Sequence, residues 1–156
     1  MNELLRVPMV EETAEVECAD GRRFTGRIFI PATSPVHDGP TRTEEWINEA
    51  AAFFPFLTEG GDAVLLNKRE VLVLSVTGPA EARTPDEIAE SPVRHVKVEA
   101  ESRRLEGDLV LDMPEHHLRV LDYLNRAEAF LALREGAVLH LIQKERITRV
   151  IEVREE

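Results

Sequence analysis

Apolar and charged residues alternate along two stretches near the start of the chain, Ala14–Ala19 and Arg22–Ile30. Alternation with a period of two residues is typical of strands that bury one face. Asp20 and Gly21 separate the stretches and form a turn signal, because glycine accepts the positive φ that a tight hairpin turn demands. The pattern therefore predicts a β-hairpin, which Pro31 ends.

Beyond a proline-rich loop, the apolar residues change to a helical spacing. Thr43 is a suitable helix N-cap, and the acidic side chains of Glu44 and Glu45 complement the positive end of the helix dipole. An apolar stripe continues through Trp46, Ile47, Ala50, Ala51 and Phe54, up to Pro55. After a double glycine, the segments Ala63–Leu66 and Glu70–Val76 predict two strands around a tight turn.

The same order of predicted elements returns in the second part of the chain. It comprises strands over Val96–Ala100 and Arg103–Leu111, a helix within Glu115–Phe130, and strands over Ala137–Ile142 and Arg146–Val153. Collinear matches accompany it, with Phe54, Leu57, Glu59 and Gly60 corresponding to Phe130, Leu133, Glu135 and Gly136. We infer an internal duplication of two units, residues 1–76 and 96–156, joined by a proline-containing linker at 77–95.

The fold prediction is a mainly β protein with short helices (α+β). Each unit is expected to form a small β-barrel of the SH3 or Sm type, built as hairpin, helix and hairpin, and the two barrels stand in tandem. A unit of this size buries only ~60% of the surface of its unfolded chain, so we expect the two units to dock on each other.

One strand indicates where docking takes place. The segment 71–76 is apolar on both faces, as in a strand that is covered on both sides, whereas its counterpart at 147–152 keeps a polar face. This asymmetry predicts an interface at Val71, Val73 and Leu74, formed with the other unit or with a second subunit. The alternative, that the strand is simply central in its own sheet, explains the pattern equally well.

A short motif at the start of each predicted helix carries a resemblance to known proteins. In the first unit it consists of Arg42, Glu45, Trp46, Ile47 and Asn48, followed in the closing hairpin by Asn67 and Lys68. In the second unit it consists of Arg119, Asp122, Tyr123, Leu124 and Asn125, with Gln143 in place of the later asparagine. With its hairpins, the motif resembles a group of uncharacterised small bacterial β-barrel proteins of the Sm-like or SH3-like type. The resemblance implies the fold and brings no activity with it.

Charge narrows the range of partners. The formal net charge is −11, with 19 Lys and Arg against 30 Asp and Glu. A surface this negative repels phosphate backbones and anionic lipid, which disfavours nucleic acid and membranes as partners. The sequence shows no signal-peptide pattern at its start and no apolar run long enough for a membrane span, and its single cysteine, Cys18, allows no intrachain disulfide. We therefore expect a cytoplasmic protein.

The helix-start motif supplies repeated polar and aromatic candidates for a binding site: Arg42, Trp46, Asn48, Arg119, Tyr123 and Asn125. Equivalent positions in both units are compatible with a repeated ligand contact. A structural role is favoured, because a buried unpaired amide costs about 1–3 kcal/mol and an asparagine side chain can satisfy the backbone of a neighbouring loop. The two arginines are expected to pair with nearby acids or to cap carbonyl groups.

Catalytic and metal-binding patterns are missing from the sequence. Adjacent helical residues such as His116 and His117 point about 100° apart, which disfavours joint ligation of one metal ion. Cys18 lies in a predicted strand without an evident base, and there is no phosphate-binding loop or nucleophile motif. We therefore predict no enzyme activity, no cofactor and no metal.

The leading functional hypothesis is a non-enzymatic interaction or regulatory module of a bacterial cytoplasm, which binds a protein partner or self-associates. The alternative is an Sm-like protein that binds RNA or a small ligand. A third hypothesis, an enzyme, requires a pocket between the units that is lined by His140 and by Asp or Glu side chains.

Overall fold

A computed structural model describes residues 8–34, 41–77, 91–112 and 119–154. The elements in these segments are β1 (Met9–Cys18), β2 (Arg23–Pro31), α1 (Thr43–Ile47), β3 (Phe53–Thr58), β4 (Ala63–Asn67), β5 (Val71–Thr77), β6 (Val93–Ala100), β7 (Arg103–Val110), α2 (Val120–Leu124), β8 (Phe130–Glu135), β9 (Val138–Gln143) and β10 (Ile147–Glu152). Short 3-10 helices at Lys68–Glu70 and Lys144–Arg146 connect β4 to β5 and β9 to β10. Among the helices so described, none is long and apolar enough to cross a bilayer.

The strands form one antiparallel sheet, in the order β10-β6-β7-β8-β9-β5-β1-β2-β3-β4. The prediction of two separate barrels is therefore wrong, since both parts of the chain share a single open sheet. The ladder between β5 and β9 joins them, from Val73 opposite Ile142 to Val76 opposite Leu139. Because β5 pairs with β1 on one side and with β9 on the other, it has no free edge with which to close a first barrel.

The predicted order of hairpin, helix and hairpin is also wrong, because the described residues of each part form five strands and one short α-helix. α1 ends at Ile47, and Phe54, which ended the predicted helical stripe, lies in β3. Pro55 is tolerated in β3 because β2 pairs with β3 only at Leu57 and Thr58, so no ladder bond requires a proline N–H. Phe130 likewise begins β8 instead of ending a helix.

Residues 8–77, here called the first half, and residues 91–154, the second half, have the same strand order. In each, the fifth strand pairs with the first, and the first to fourth strands follow in sequence. The register nevertheless shifts the residue matches in β3 by one. Leu57 pairs with β2 as Arg134 pairs with β7, so Leu57 corresponds to Arg134 and not to Leu133. Phe53 faces Asn67 and Phe130 faces Gln143, so Phe53, and not Phe54, corresponds to Phe130. The extra residue of the first half therefore lies in the turn after β3.

Two hydrophobic cores stabilise the sheet. The first core contains Ala14, Val16, Ile28, Ile30, Trp46, Ile47, Phe54, Phe56, Val71, Leu74 and Val76, together with Phe130, Ala132, Leu139 and Leu141. The second core contains Val96, Val98, Leu105, Leu109, Tyr123, Leu131, Leu133 and Ile142, together with Leu72 and Val73. Each core thus takes side chains from the other half, because β5, β8 and β9 are buried on both faces.

Two sequence-based expectations concern other segments. Residues 78–90 of the predicted linker, and His116 and His117, lie outside the described residues. On either side of the former segment, β5 ends at Thr77 and β6 begins at Val93.

Candidate interaction site

α1 and α2 begin with the same type of cap. The backbone N–H of Arg42 donates to Glu45 Oε1 at 3.2 Å, and the backbone N–H of Arg119 donates to Asp122 Oδ2 at 3.3 Å. The Arg119 guanidinium also binds the Asp122 carboxylate, at 2.9 and 3.0 Å. The spacing of arginine and acid in the repeated motif is thus that of a helix cap, in which the carboxylate satisfies an otherwise unpaired N–H group.

The two motif aromatics are buried in the cores. Trp46 packs edge-on against Phe54, with ring centroids 5.2 Å apart. The Tyr123 hydroxyl accepts a hydrogen bond from the backbone N–H of Ala132 at 3.1 Å, and burial raises the pKa of Tyr123. The Arg126 guanidinium lies 4.3 Å above the tyrosine ring. Both aromatic side chains therefore have structural partners within the chain.

Asn48 connects the halves. Its Nδ2 donates to the carbonyl of Glu44 at 2.7 Å, and its Oδ1 accepts from the backbone N–H of Phe130 at 2.9 Å. The equivalent Asn125 makes no side-chain hydrogen bond to the described residues. Asn48 therefore fixes the end of α1 to the start of β8, whereas Asn125 makes no equivalent bond within the described part of the chain.

A shallow groove of about 360 Å³ lies where the two halves meet, next to the helices. Of the predicted site residues it brings together Arg42, Asn48 and Tyr123, but not Trp46, Arg119 or Asn125. Its charged lining consists of Glu44, Glu45, Asp112, Glu128, Arg42 and Arg126. Carboxylates outnumber guanidinium groups, so the groove does not favour an anionic ligand.

Ser75, His140 and Glu135 form a hydrogen-bonded chain across the junction. Ser75 Oγ lies 2.7 Å from His140 Nδ1, and His140 Nε2 lies 3.1 Å from Glu135 Oε1. The three residue types are those of a serine hydrolase, but Ser75 stands inside β5, whose backbone is paired with β1 and with β9. No backbone N–H beside Ser75 is therefore free to stabilise an oxyanion, and the chain serves as a polar link between the strands.

The residues predicted as an interface lie within the chain. Val71 and Leu74 belong to the first core, and Val73 belongs to the second. Leu74 lies opposite Leu141 in the ladder between the halves. These side chains are therefore buried by the chain itself and have no exposed surface for a partner.

Exposed apolar side chains lie instead on the β3–β4 hairpin, which forms one end of the sheet. Phe53 is 56% exposed and Leu65 is 74% exposed, and both point away from the first core. Pro55, which lies opposite Leu65, and Ala63 are exposed on the same face. We name Phe53, Pro55, Ala63 and Leu65 the edge patch.

Sequence reasoning missed the edge patch because it placed Phe54 and its neighbours in a helix. A signal was present, since the stretch 63–66 is apolar on both faces, as is the stretch 71–76. Comparisons with protein-family models, with curated proteins and with solved structures found no match for this chain. The candidate site is therefore defined by its geometry alone.

Proposed function

We propose that the protein is a non-enzymatic interaction module of a bacterial cytoplasm, which binds protein through β4 and the edge patch. The observation that supports it is that β4, whose outer edge is not paired with any described strand, lies beside the exposed side chains of Phe53 and Leu65. Backbone groups at a sheet edge provide affinity for an added strand, and neighbouring apolar side chains provide further buried area.

The composition of β4 favours this use. Natural edge strands are usually protected against pairing by charged side chains, prolines or bulges. The segment Ala63–Asn67 contains no charged residue and no proline, and the ladder between β3 and β4 is regular. An edge that lacks these protections is suited to binding another strand.

The alternative hypothesis, binding of RNA or a small ligand, has less support. The groove beside the helices is rich in carboxylates, and Asn48 and Tyr123 are engaged by backbone groups. A net charge of −11 also opposes contact with a phosphate backbone. Retention of RNA on a filter at low salt would favour this alternative.

A photocrosslinking amino acid in place of Leu65 tests the proposal in the living host cell. We expect covalent adducts between the chain and a protein at this position, because a bound strand would lie directly against it. The matched control carries the same amino acid in place of Arg22, an exposed residue of the β1–β2 turn. Absence of protein adducts at position 65, or equal adducts at both positions, would overturn the proposal.

A further inference from the structure

The ladder between β5 and β9 joins unlike edges of two halves that have the same strand order. β5 is the fifth strand of the first half, and β9 is the fourth strand of the second half. The complementary edges, the fourth strand β4 and the fifth strand β10, lie at opposite ends of the sheet. The described chain thus carries both edges of a second junction of the same type.

We propose that β10 of one copy pairs antiparallel with β4 of the next copy, in the geometry of the β5–β9 ladder. This inference rests on the proposed function and names its partner as a second copy of this chain. Equivalent positions set the register as Arg149 opposite Leu66, Val150 opposite Leu65, Ile151 opposite Val64 and Glu152 opposite Ala63. Because the two edges differ, the contact is heterologous and continues until a ring closes or a filament forms.

The edge patch is the counterpart of a surface that is buried inside the chain. Phe53 corresponds to Phe130, and Leu65 corresponds to Leu141. Phe130 is 4% exposed and Leu141 is 0% exposed, because the first core covers them. Phe53 and Leu65 keep the apolar character of this surface without a cover from the described residues, as expected if another copy provides it.

The other end of the sheet shows the same difference. Ile47, Val71 and Leu74 are fully buried in the first core, where the second half packs on them. Their counterparts around β10, namely Leu124, Ile147 and Val150, are only partly buried against the second core. The surface that would receive the edge patch is therefore apolar and incompletely covered.

A polar pair at the internal junction becomes an apolar pair at the proposed one. Ser75 and His140 are hydrogen-bonded within the chain, and their counterparts are Ile151 and Val64. Ile151 is 38% exposed, in a strand that pairs with β6 on one edge and with no other described strand.

A second polar pair follows the same rule. Arg134 lies 3.9 Å from Glu44 across the internal junction, and the counterparts of these residues are Leu57 and Leu121. Leu121 is 57% exposed on the surface of α2. Among the described residues, four of the six large exposed hydrophobic side chains, Phe53, Leu65, Leu121 and Ile151, thus occupy counterparts of junction positions. The proposed contact accounts for all four.

Asn125 fits the same arrangement. Asn48 accepts a hydrogen bond from the backbone N–H of Phe130 across the internal junction. In the proposed contact, Asn125 of one copy accepts the equivalent bond from Phe53 of the next copy. This bond would occupy an amide that makes no side-chain hydrogen bond to the described residues.

Light scattering coupled to gel filtration tests the inference on the purified full chain. We expect the wild-type assembly to have a mass of at least twice the 17.6 kDa of one chain. Leu65→Lys and Ile151→Lys alter opposite edges, and each is expected to give monomers because it places a charge in the contact. A mixture of the two variants is expected to form dimers and nothing larger, because only one intact β10 and one intact β4 remain to pair.

The control variant is Met9→Lys, which changes an exposed apolar side chain outside the contact and should leave the mass of the assembly unchanged. A monomeric wild-type chain overturns the inference, and so does a mixture of the two edge variants that stays monomeric. In that case, adducts to a different protein at position 65 in cells would leave the proposed function standing. Absence of all adducts would remove both.

Discussion

His95 illustrates how single residues stabilise the β6–β7 hairpin. Its Nδ1 lies 2.8 Å from Asp108 Oδ1, and its Nε2 lies 2.7 Å from Glu106 Oε2. Both ring nitrogens can donate only when the imidazole is protonated. The hydrogen bonds to Asp108 and then to Glu106 therefore raise the pKa of His95 above its usual range.

This raised pKa predicts a pH-dependent contribution to stability. A histidine with a folded-state pKa above its unfolded value stabilises the fold fully below about pH 6.5, and the contribution is lost as the pH rises through the folded-state pKa. Urea unfolding of wild type and His95→Gln at about pH 6 and about pH 8.5 measures this contribution to the free energy of unfolding. We expect the variant to be less stable at the lower pH and closer to wild type at the higher pH. An equal difference at both values would contradict the assignment.

Residue-scale features differ in how far the sequence predicts them. Arg42 with Glu45, and Arg119 with Asp122, stand at the spacing of a helix cap, which is a local relation that the sequence contains, although the predicted N-cap, Thr43, is the first residue of α1 and Arg42 is the N-cap. The hydrogen bond between Asn48 and Phe130 joins residues far apart in the chain, and no local pattern indicates that pairing.

At the scale of elements, a glycine in the second strand of each half allows that strand to lie very close to the strand that follows the helix. A Cβ on Gly26 would lie 1.9 Å from the carbonyl oxygen of Leu57, and a Cβ on Gly107 would lie 2.4 Å from that of Arg134. Neither distance is compatible with a side chain unless the backbone moves. Both halves therefore use glycine to bring these strands together.

Gly26→Ala is consequently expected to destabilise the protein. Forcing an atom against a neighbouring backbone costs about 1–3 kcal/mol or more, because the strands must separate. Gly60→Ala is the matched control, since its Cβ would meet nothing nearer than Thr58 Oγ1 at 3.9 Å, and it should stay within ~0.5 kcal/mol of wild type. The test compares the urea unfolding midpoint of each variant with that of wild type. Similar midpoints for Gly26→Ala and wild type would contradict the close approach of the two strands.

Strand alternation predicts some elements well and others poorly. Segments with strict alternation, such as β1 and β2, were located from sequence because one face is buried and the other is exposed. β3 and β8 were missed, since Phe53–Thr58 and Phe130–Glu135 are short and largely apolar. In a run of that length, helical and extended spacings cannot be distinguished by period alone.

At the scale of the whole molecule, the decisive feature is that β5 pairs with β9 on the edge that is not paired with β1. The sequence shows that β5 is apolar on both faces. This pattern predicts that both faces are buried, but it does not predict which part of the chain buries them. The ladder with β9 depends on residues such as Leu74 and Leu141, which are distant in sequence. For this reason, local patterns predicted two separate units, whereas long-range pairing produces one sheet with two shared cores.

Shared cores predict that the halves unfold together. Trp46 is the single tryptophan and lies in the first core, to which the second half contributes Leu141. Leu141→Ala should cost about 2–5 kcal/mol, and the loss should appear in Trp46 fluorescence as well as in far-UV circular dichroism. At one protein concentration, both probes should give the same lowered urea midpoint, while Val93→Ala, an exposed control, should leave it unchanged. A fluorescence midpoint unaffected by Leu141→Ala would mean that the first half folds independently of the second.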